Sequence, residues 1–341
     1  MNPFLSRRHF LYLTGMGALS VACQTTGEPK QEEQSKTGWS YFMDLPFPVQ
    51  EIYPVLHNGK IHLAGGFLSE EGQITDASAF HQLIDLAEKT VTDLPNLPEK
   101  RHHPNLLSHQ GKLYLLGGFI PGETGPWNMR AQTWTFENGA YETMAEAPNP
   151  HAETVCASLG DYIHVVGGRR MKGSANGTYQ DHTDSDQHLR YDPATDSWTE
   201  MAPALTKRNS AAGAVIDGKW YVVGGRTMTD GNVTPTERYD PETDTWESLA
   251  PMPQGQGGLA AAAIDGQLYA FGGEFFNDGG GVYPETWVYD PAKDSWEAVE
   301  DMKTPRHGLG GVAADGKIYA IGGAIRAGGN GTSTLIEVYT P

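Results

Sequence analysis

Six short apolar runs of the same length recur along the chain, each preceded by a polar turn and followed by two adjacent glycines. The turn is most often Asn-Gly or Asp-Gly, which favours a tight hairpin because both central residues need a positive φ. The run after it is rich in β-branched and aromatic residues, as in a buried strand. The glycine pairs lie at residues 65–66, 117–118, 167–168, 224–225, 272–273 and 322–323. The pattern therefore predicts six β-rich repeats of similar length.

A second motif follows the glycine pair after a loop of variable length. It combines a Tyr-Asp-Pro turn with a tryptophan seven residues after the tyrosine, and it occurs at residues 191–198, 239–246 and 289–296, with degenerate copies at 84–91 and 136–141. Proline and aspartate favour the turn, and the flanking aromatic residues suit packing between neighbouring sheets. Each repeat therefore reads as four short strands.

The two ends of the chain share one copy of this second motif. The last repeat stops at Pro341, directly after its Tyr339, and the missing tryptophan strand is found at Gly38–Pro46, where Trp39 stands. A four-stranded sheet cannot bury both of its faces alone, and closing a ring solves that problem. We expect the N-terminal strand to complete the last sheet and to close the ring.

The glycine pairs, the Tyr-Asp-Pro turns and the tryptophans together resemble the kelch family over residues 38–341. The resemblance implies an all-β fold, a six-bladed kelch β-propeller with four-stranded blades. The alternative, a β-sandwich, is disfavoured because sandwich strands do not repeat as four-strand units.

The N-terminus is predicted to be an export signal. Ser6–Leu11 contains the pair Arg7 and Arg8 and resembles the twin-arginine motif, and a short apolar stretch follows it. We assign residues 1–22 to this signal, with lipoprotein processing before Cys23 and lipidation of that cysteine. Residues 23–37 are polar and read as a flexible tether. The resemblance implies a periplasmic protein, with contact to the membrane only through this lipid anchor.

The formal net charge of −18 changes the list of expected partners. An acidic chain does not favour nucleic acid or anionic membrane surfaces. The only cysteines are Cys23 and Cys156, and Cys23 lies in the targeting segment, so we expect no disulfide in the mature domain. We expect a monomer.

The repeats also place a candidate site at the mouth of the central channel. Counting back 16 residues from each glycine pair reaches Val49, Arg101, His151, Arg208, Gln256 and Arg306. Side chains alternate along a strand, so the residues two further on point the same way, and they are Glu51, His103, Glu153, Ser210, Gly258 and Gly308. The next set is smaller and more apolar, which predicts a polar mouth above a narrow channel.

Arginines are the main candidates for ligand binding at this mouth. Arg101, Arg208 and Arg306 share one offset, and Arg169 and Arg226 follow glycine pairs. Like charges in one concavity repel, so a bound anion would stabilise them, and guanidinium groups suit carboxylate or phosphate. Gln256, Asn209 and His307 complete the predicted ligand-binding set. The alternative is that each arginine pairs with a nearby carboxylate, such as Glu51, Glu153 or Glu274.

Metal and cofactor chemistry is not expected. The long loop of the third repeat carries Asp181, His182, Asp184 and Asp186, but their spacing does not match a calcium loop. His102, His103, His151 and His307 are more often structural than metal-binding. A copper-radical oxidase of the galactose oxidase type would need a cysteine beside the metal, and Cys156 is predicted to face the sheet packing instead.

Two hypotheses for the function remain open. The fold resembles the N-acetylneuraminate epimerase family of exported kelch mutarotases, which act on an acidic sugar without a cofactor. The resemblance implies a small anionic sugar as ligand, but it does not place the family's catalytic residues on this chain. From the residues at the mouth we select Glu153 or Glu274 as base and His103 or His151 as acid, with Arg208 holding the sugar carboxylate. The alternative is a non-catalytic scaffold that binds a glycan or an acidic peptide.

We predict that replacing Arg7 and Arg8 together by lysine retains the precursor in the cytoplasm, because the twin-arginine pair is the recognised feature of the signal. Fractionation of cells expressing the double variant checks this, with Lys30→Arg in the predicted tether as control. Normal periplasmic levels of the double variant would contradict the assignment.

Overall fold

Six four-stranded antiparallel sheets account for most of residues 37–341, the part of the chain that the computed structural model describes. The predicted export signal, Cys23 and nearly all of the predicted tether lie outside these described residues. Within residues 37–341, no helix has the length and apolar character needed to cross a membrane.

The first strands in chain order are β1 (Gly38–Asp44), β2 (Val49–Gln50), β3 (Val55–His57), β4 (Lys60–Ala64), β5 (Phe67–Glu70), β6 (Gln73–Ala77), β7 (His81–Asp85), β8 (Thr90–Leu94), β9 (Asn105–His109), β10 (Lys112–Leu116), β11 (Phe119–Gly122), β12 (Gly125–Met129), β13 (Thr133–Glu137), β14 (Ala140–Met144), β15 (Val155–Leu159), β16 (Tyr162–Val166) and β17 (Arg169–Met171). A short 3-10 helix covers Tyr179–Asp181. The remaining strands are β18 (His182–Asp184), β19 (His188–Asp192), β20 (Ser197–Met201), β21 (Ala212–Ile216), β22 (Lys219–Val223), β23 (Arg226–Thr227), β24 (Gly231–Asn232), β25 (Thr236–Asp240), β26 (Thr245–Leu249), β27 (Ala260–Ile264), β28 (Gln267–Phe271), β29 (Glu274–Phe275), β30 (Gly281–Val282), β31 (Thr286–Asp290), β32 (Ser295–Ala298), β33 (Gly310–Ala314), β34 (Lys317–Ile321) and β35 (Leu335–Thr340).

The large sheets are the six blades of a β-propeller, so the predicted fold class is confirmed. From blade one to blade six their strand orders are β3-β4-β7-β8, β9-β10-β13-β14, β15-β16-β19-β20, β21-β22-β25-β26, β27-β28-β31-β32 and β33-β34-β35-β1. The innermost strands contact each other in a closed series, β3 with β9, β15, β21, β27, β33 and back to β3. The hydrophobic core consists of clusters between these sheets.

The turn between the first two strands of a blade has the predicted geometry. In blade four, Asp217 and Gly218 have φ of 49° and 72°. Both values are positive, as a two-residue turn between twisted strands requires. The turn fixes the register of the hairpin, with Ile216 opposite Lys219.

In blades three, four and five, the Tyr-Asp-Pro motif links the blade to the blade before it. In blade four, the Tyr239 hydroxyl donates to Asp244 at 2.8 Å, and Asp244 also accepts the backbone N–H of Ala202 at 3.0 Å. The indole Nε1 of Trp246 donates to the Ala202 carbonyl at 3.0 Å. Blades three and five repeat these contacts with the corresponding residues. The aromatic residues of the motif therefore hold neighbouring sheets together.

The N-terminal strand closes the ring, as predicted. Strand β1 pairs with β35, with Trp39 opposite Tyr339. The Trp39 indole is 3% exposed and lies 5.1 Å from the Phe271 ring of blade five, and its Nε1 donates to Thr286 at 2.9 Å. The last blade is thus assembled from both ends of the described chain.

Between its second and third strands, each of the first five blades extends a short hairpin. These hairpins are β5-β6, β11-β12, β17-β18, β23-β24 and β29-β30, and β2 adds a third strand to the first. Blade six has a loop there, held by a bridge between Ala324 and Thr332. The six segments surround one end of the central channel.

We predict that Trp39→Ala lowers the free energy of unfolding by about 3–5 kcal/mol, because it removes a buried aromatic side chain and the contact that closes the ring. Tyr41→Ala on the same strand is the matched control, since Tyr41 is 64% exposed and its loss should cost less than about 0.5 kcal/mol. Chemical denaturation of both variants gives the comparison. Equal stability of the two variants would rule out closure by β1.

Candidate functional site

A ring of six left-handed residues forms the floor of the mouth. Glu51, His103, Glu153, Ser210, Gly258 and Gly308 occupy equivalent positions in the six blades, and their φ angles lie between 49° and 70°. Five of the six positions donate their N–H to the carbonyl of the equivalent residue in the preceding blade, at 2.7–3.2 Å. These hydrogen bonds hold the six residues at one level around the channel, as the repeat offset predicts.

The ring separates two spaces. Above it lies a cavity of about 850 Å³, and its lining includes Glu51, His103, Glu153, Arg226, Glu274 and His307. Below it lies an apolar space of about 190 Å³, whose lining includes Tyr53, Val155, Ala212, Ala260 and Gly310. The predicted polar mouth above a narrow channel is therefore present.

The walls of the cavity are aromatic. Phe67, Trp127, Tyr179, Phe275 and Phe276 line it, and they come from the hairpins and loops of blades one, two, three and five. The Trp127 ring lies 5.6 Å from the Tyr179 ring and 5.2 Å from the Phe119 ring. The cavity thus combines a charged floor with apolar sides, as ligand pockets commonly do.

Glu51 and His103 form an ion pair, and the hydrogen bonds of the neighbouring His102 show which nitrogen of His103 carries a proton. The Nε2 of His102 lies 2.7 Å from the Pro126 carbonyl, which only accepts, so this nitrogen carries hydrogen. Burial and the neighbouring His103 hold the pKa of His102 well below its ordinary value, so His102 is neutral and its Nδ1 accepts. His103 must therefore donate from its own Nδ1, which lies 2.7 Å away.

The other nitrogen of His103 faces the carboxylate of Glu51. The distance from His103 Nε2 to Glu51 Oε2 is 2.7 Å. Burial raises the pKa of Glu51, but the attraction of His103 and His307 outweighs it and keeps this pKa far below its ordinary value. Glu51 is therefore ionised, and His103 donates from both nitrogens as an imidazolium.

His307 lies between two carboxylates on the opposite side of Glu51. Its Nε2 donates to the carbonyls of Arg326 and Gly328 at 2.9 and 3.0 Å. Its Nδ1 lies 3.6 Å from Glu51 Oε1 and 3.5 Å from Glu274 Oε2, and it has no hydrogen-bond partner. This nitrogen is an unsatisfied polar atom at the cavity floor.

The two predicted bases, Glu153 and Glu274, are already bound through both of their oxygens. Glu153 contacts Arg169 at 3.0 Å and accepts the Ser210 hydroxyl at 2.5 Å. Burial raises the pKa of Glu153, but Arg169, His103 and Arg226 outweigh it and bring it to about 2. Glu274 pairs with Arg226 and accepts the N–H of Gly328 at 2.7 Å.

The structure brings some of the predicted site residues together and separates others. Glu153, His103, Glu274, Arg226 and His307 line the cavity. Arg169 and Asn209 are fully buried behind its lining, where Arg169 contacts Glu153 and Asn209 contacts Asp184. The residues that lie apart from the cavity are Arg101, His151, Arg208, Gln256 and Arg306.

The expected convergence of Arg101, Arg208 and Arg306 at the mouth is corrected by the structure. Their exposed fractions are 0%, 2% and 0%, and each pairs at 3.3 Å with a carboxylate, from Glu99, Glu237 and Glu337 respectively. Their common offset has a structural reason: Arg101 and Arg208 donate to the carbonyl of the glycine sixteen residues on, at 2.6 and 3.1 Å.

Gln256 and His151, at the same offset, are also structural. Gln256 donates to the Gly272 carbonyl at 3.0 Å. His151 contacts the Asn149 carbonyl at 3.2 Å and lies against Gly117, between blades two and three. The side chains at this offset brace the blades because they point between the sheets rather than into the mouth.

The long loop of blade three is held by its own acidic residues. Asp181 accepts the backbone N–H groups of Gly177 and Thr178 at 3.0 and 2.8 Å, and Asp184 accepts the N–H of Met228 at 2.9 Å. Among residues 37–341, no group of three or more His, Cys, Asp or Glu side chains is arranged to hold a metal ion.

Cys156 packs against the core cluster between blades two and three and only borders the lower space. Burial raises the pKa of its thiol to about 12. The thiol is thus protonated at neutral pH and is poorly suited to bind a metal.

Sequence reasoning placed Glu51 at the mouth only as an alternative partner for an arginine, and it missed the aromatic walls. Trp127, Tyr179 and Phe276 lie on the segments between the second and third strands, whose lengths differ from blade to blade. Counting from the glycine pairs therefore cannot align them. Phe67 directly follows a glycine pair, and that position could have identified it.

Family models and known structures agree with this architecture. A model of the KLHDC2/KLHL20/DRC7 kelch-repeats domain matches residues 52–273, and a kelch-motif model matches residues 257–303. The solved structure of YjhT superimposes with a TM-score of 0.75, covering 89% of this chain and 97% of that chain at 17% identity. A similarity at this identity shows the fold alone.

Curated relatives match at modest identity. The kelch-like protein terF of Aspergillus terreus is 25% identical over 66% of this chain, and alpha-scruin of Limulus polyphemus is 24% identical over 58% of it. The match covers 50% of the Aspergillus protein and 21% of alpha-scruin. The chain thus spans half or less of the length of these relatives.

We predict that Arg208→Ala lowers the free energy of unfolding by about 3–5 kcal/mol, because it leaves the buried carboxylate of Glu237 without a counter-charge. Arg238→Ala is the control, since its partner Glu247 is 58% exposed and that pair should contribute about 0–1 kcal/mol. Denaturant titration measures both. Arg208→Ala should regain stability when Glu237→Leu is added. If it does not, the buried pair of Arg208 and Glu237 is not what stabilises this part of the fold.

Proposed function

The chain belongs to the kelch-repeat family, and we propose that it binds a small carbohydrate in the mouth cavity and exchanges the anomers of that sugar by acid–base catalysis. The observation that carries the proposal is the ion pair of Glu51 and His103, which faces a cavity with aromatic walls. A volume of about 850 Å³ lies within the ordinary range of ligand pockets.

The lining favours a carbohydrate over a simple anion. Arg226 is the guanidinium of the lining, and it is paired with Glu274. The side chain of Arg169 is 0% exposed and contacts Glu153. A free anion would therefore have to displace a carboxylate, whereas hydroxyl groups can donate to the carboxylates and accept from the imidazoles.

Anomer exchange needs one acid and one base that lie next to each other. The anomeric hydroxyl and the ring oxygen are bonded to the same carbon, so the two groups that handle their protons must be adjacent. Glu51 Oε2 and His103 Nε2 are 2.7 Å apart, and both residues border the cavity. We assign Glu51 as the base and His103 as the acid.

In the proposed reaction, Glu51 takes the proton of the anomeric hydroxyl as the bond between the anomeric carbon and the ring oxygen breaks. His103 gives its Nε2 proton to the departing ring oxygen, which leaves an open-chain aldehyde, a protonated Glu51 and a neutral His103. Rotation about the bond to the next carbon and the reverse steps close the ring as the other anomer, and no electrons are exchanged.

The base assignment differs from the sequence-based expectation. Glu153 holds Arg169 and Ser210 in place, so both of its carboxylate oxygens are already engaged. Glu51 is the more accessible carboxylate, with 15% of its side chain exposed against 1% for Glu153.

Export through the twin-arginine route and lipidation at Cys23 remain proposals that rest on the sequence motifs alone. Together with them, the mouth cavity would act on sugars in the periplasm.

We predict that the wild-type protein accelerates anomer exchange of freshly dissolved aldohexoses, followed by proton NMR. Glu51→Gln and His103→Gln should each slow this exchange about 10²-fold or more, because the replaced groups no longer transfer a proton. Glu242→Gln in an exposed turn removes the same charge far from the cavity and should change nothing.

Binding is measured in parallel by calorimetry. Sugar binding without faster exchange in the wild type would support the non-catalytic scaffold instead. If no sugar either binds or exchanges faster, the proposed function is wrong.

A further inference from the structure

The mouth cavity is larger than a single sugar ring requires. A hexose occupies roughly 200 Å³ at the packing density of an organic crystal. The cavity above the ring of left-handed residues measures about 850 Å³. A monosaccharide that reaches the Glu51–His103 pair at the floor therefore fills only a small part of it, and the remaining space is large enough for a second sugar unit.

Two aromatic side chains of the lining stand on opposite walls of this cavity. Trp127 belongs to the hairpin β11-β12 of blade two, and Phe276 follows β29 of blade five. The closed series of innermost strands puts blades two and five across the channel from each other. An elongated ligand can therefore contact both aromatic rings, one with each of its ends.

Trp127 lies beside the proposed acid. The centre of its indole ring is 6.4 Å from that of the His103 imidazole. The rings of Phe119 and Tyr179 pack against the indole at 85° and 82°, which fixes its orientation. A pyranose has an apolar face of C–H groups, and a pyranose that stacks on this indole has its anomeric carbon close to the Glu51–His103 pair. The reacting sugar unit therefore fits at the inner position, beside Trp127.

Phe276 lies farther from the reacting pair, toward the opening of the cavity. Its ring centre is 5.8 Å from the guanidinium carbon of Arg226, which pairs with Glu274. His307 stands between Glu274 and Glu51, so this series of side chains separates Phe276 from Glu51. The Phe276 side chain is 64% exposed, which leaves its ring available for contact with a ligand.

The exposure of Phe276 differs in its setting from that of other apolar side chains. Among residues 37–341, the other large apolar residues that are exposed lie outside the lining of the cavity, and they are Tyr41, Leu205 and Ile325. Asn277 follows Phe276 and also lines the cavity, and its amide can donate to and accept from hydroxyl groups. An apolar ring next to an amide matches a sugar, which has C–H faces and a rim of hydroxyl groups.

We propose that the cavity binds the reducing end of an oligosaccharide. The terminal unit lies at the inner position beside Trp127, and the next unit packs on Phe276. The terminal unit carries the free anomeric hydroxyl, so the bonds that break and form are those of the proposed anomer exchange, and the glycosidic bond stays intact. This inference rests on the proposed function and deepens it by naming the class of ligand.

The test compares glucose with four disaccharides that have glucose at the reducing end: maltose, cellobiose, isomaltose and gentiobiose. Anomer exchange of the freshly dissolved sugars is followed by proton NMR over a range of concentrations. At least one disaccharide should have a KM about tenfold or more below that of glucose, because its second unit covers an aromatic ring. Its kcat should stay within about threefold of that for glucose, because the second unit does not touch the reacting pair.

Variants then locate the second unit. Phe276→Ala should remove the preference for the disaccharide over glucose, and the loss should appear in KM rather than in kcat. Phe276→Tyr keeps the ring and should keep the preference. Tyr41→Ala is the matched control, since Tyr41 is also 64% exposed but lies on β1, outside the cavity lining, and this variant should keep the preference in full. Thermal melting establishes that each variant is folded.

The outcomes separate this inference from the proposed function. If glucose exchanges faster than it does spontaneously but none of the four disaccharides has a lower KM, the oligosaccharide site is wrong and the proposed function stands. The same holds if folded Phe276→Ala keeps the full preference. Faster exchange of a disaccharide alone would support both proposals. If neither glucose nor any of the disaccharides exchanges faster, the proposed function is wrong, and the oligosaccharide site with it.

Discussion

The link between each blade and its predecessor is the interaction on which the rest of the structure depends. A blade is a thin sheet that cannot bury both faces by itself, so its stability comes from its neighbours. The aspartate and tryptophan of one motif bind the backbone of the preceding blade at a single residue, as Asp244 and Trp246 do at Ala202, and the Tyr239 hydroxyl donates to Asp244. In the last blade, Trp39 from the start of the chain lies opposite Tyr339 from its end. Closure of the ring therefore joins residues from opposite ends of the described part of the chain.

Closure in turn creates the site. The left-handed residues at the floor bond to one another only because six blades stand side by side, and their backbone ring carries Glu51 and His103. A left-handed conformation is costly for residues with a side chain, and such strain is commonly found at functional sites. Glycine makes room where it is needed: a Cβ atom at Gly308 would lie 2.8 Å from the Glu51 carboxylate. Gly308 of blade six thus leaves room for the Glu51 side chain of blade one at the cavity floor.

Pairing decides which charges remain available for chemistry. Arginine has a high desolvation cost, and each buried arginine of this fold lies beside a carboxylate or a backbone carbonyl. Arg208, for example, contacts three carbonyls as well as Glu237. An imidazole gains or loses a proton near neutral pH according to the groups that it contacts. The imidazoles of His103 and His307 lie at the floor of the mouth. The cavity is therefore suited to proton transfer and to ligands that donate hydrogen bonds. When only the sequence is considered, the same residues suggest an anion site.

The sequence by itself determined the fold, because propeller blades rest on local rules. Turn glycines, strand residues and the split motif around Trp39 each specify a short segment, and repetition makes the signal specific. It also determined which positions share a level at the mouth, since the strand period is two. Only the tertiary structure decided which side chains are free there. Arg101 and His103 are two residues apart, yet one is buried between blades and the other borders the cavity, because the left-handed turn at His103 redirects the chain. The aromatic walls likewise come from segments of unequal length, whose positions are set by contacts across the ring and not by any spacing along the chain.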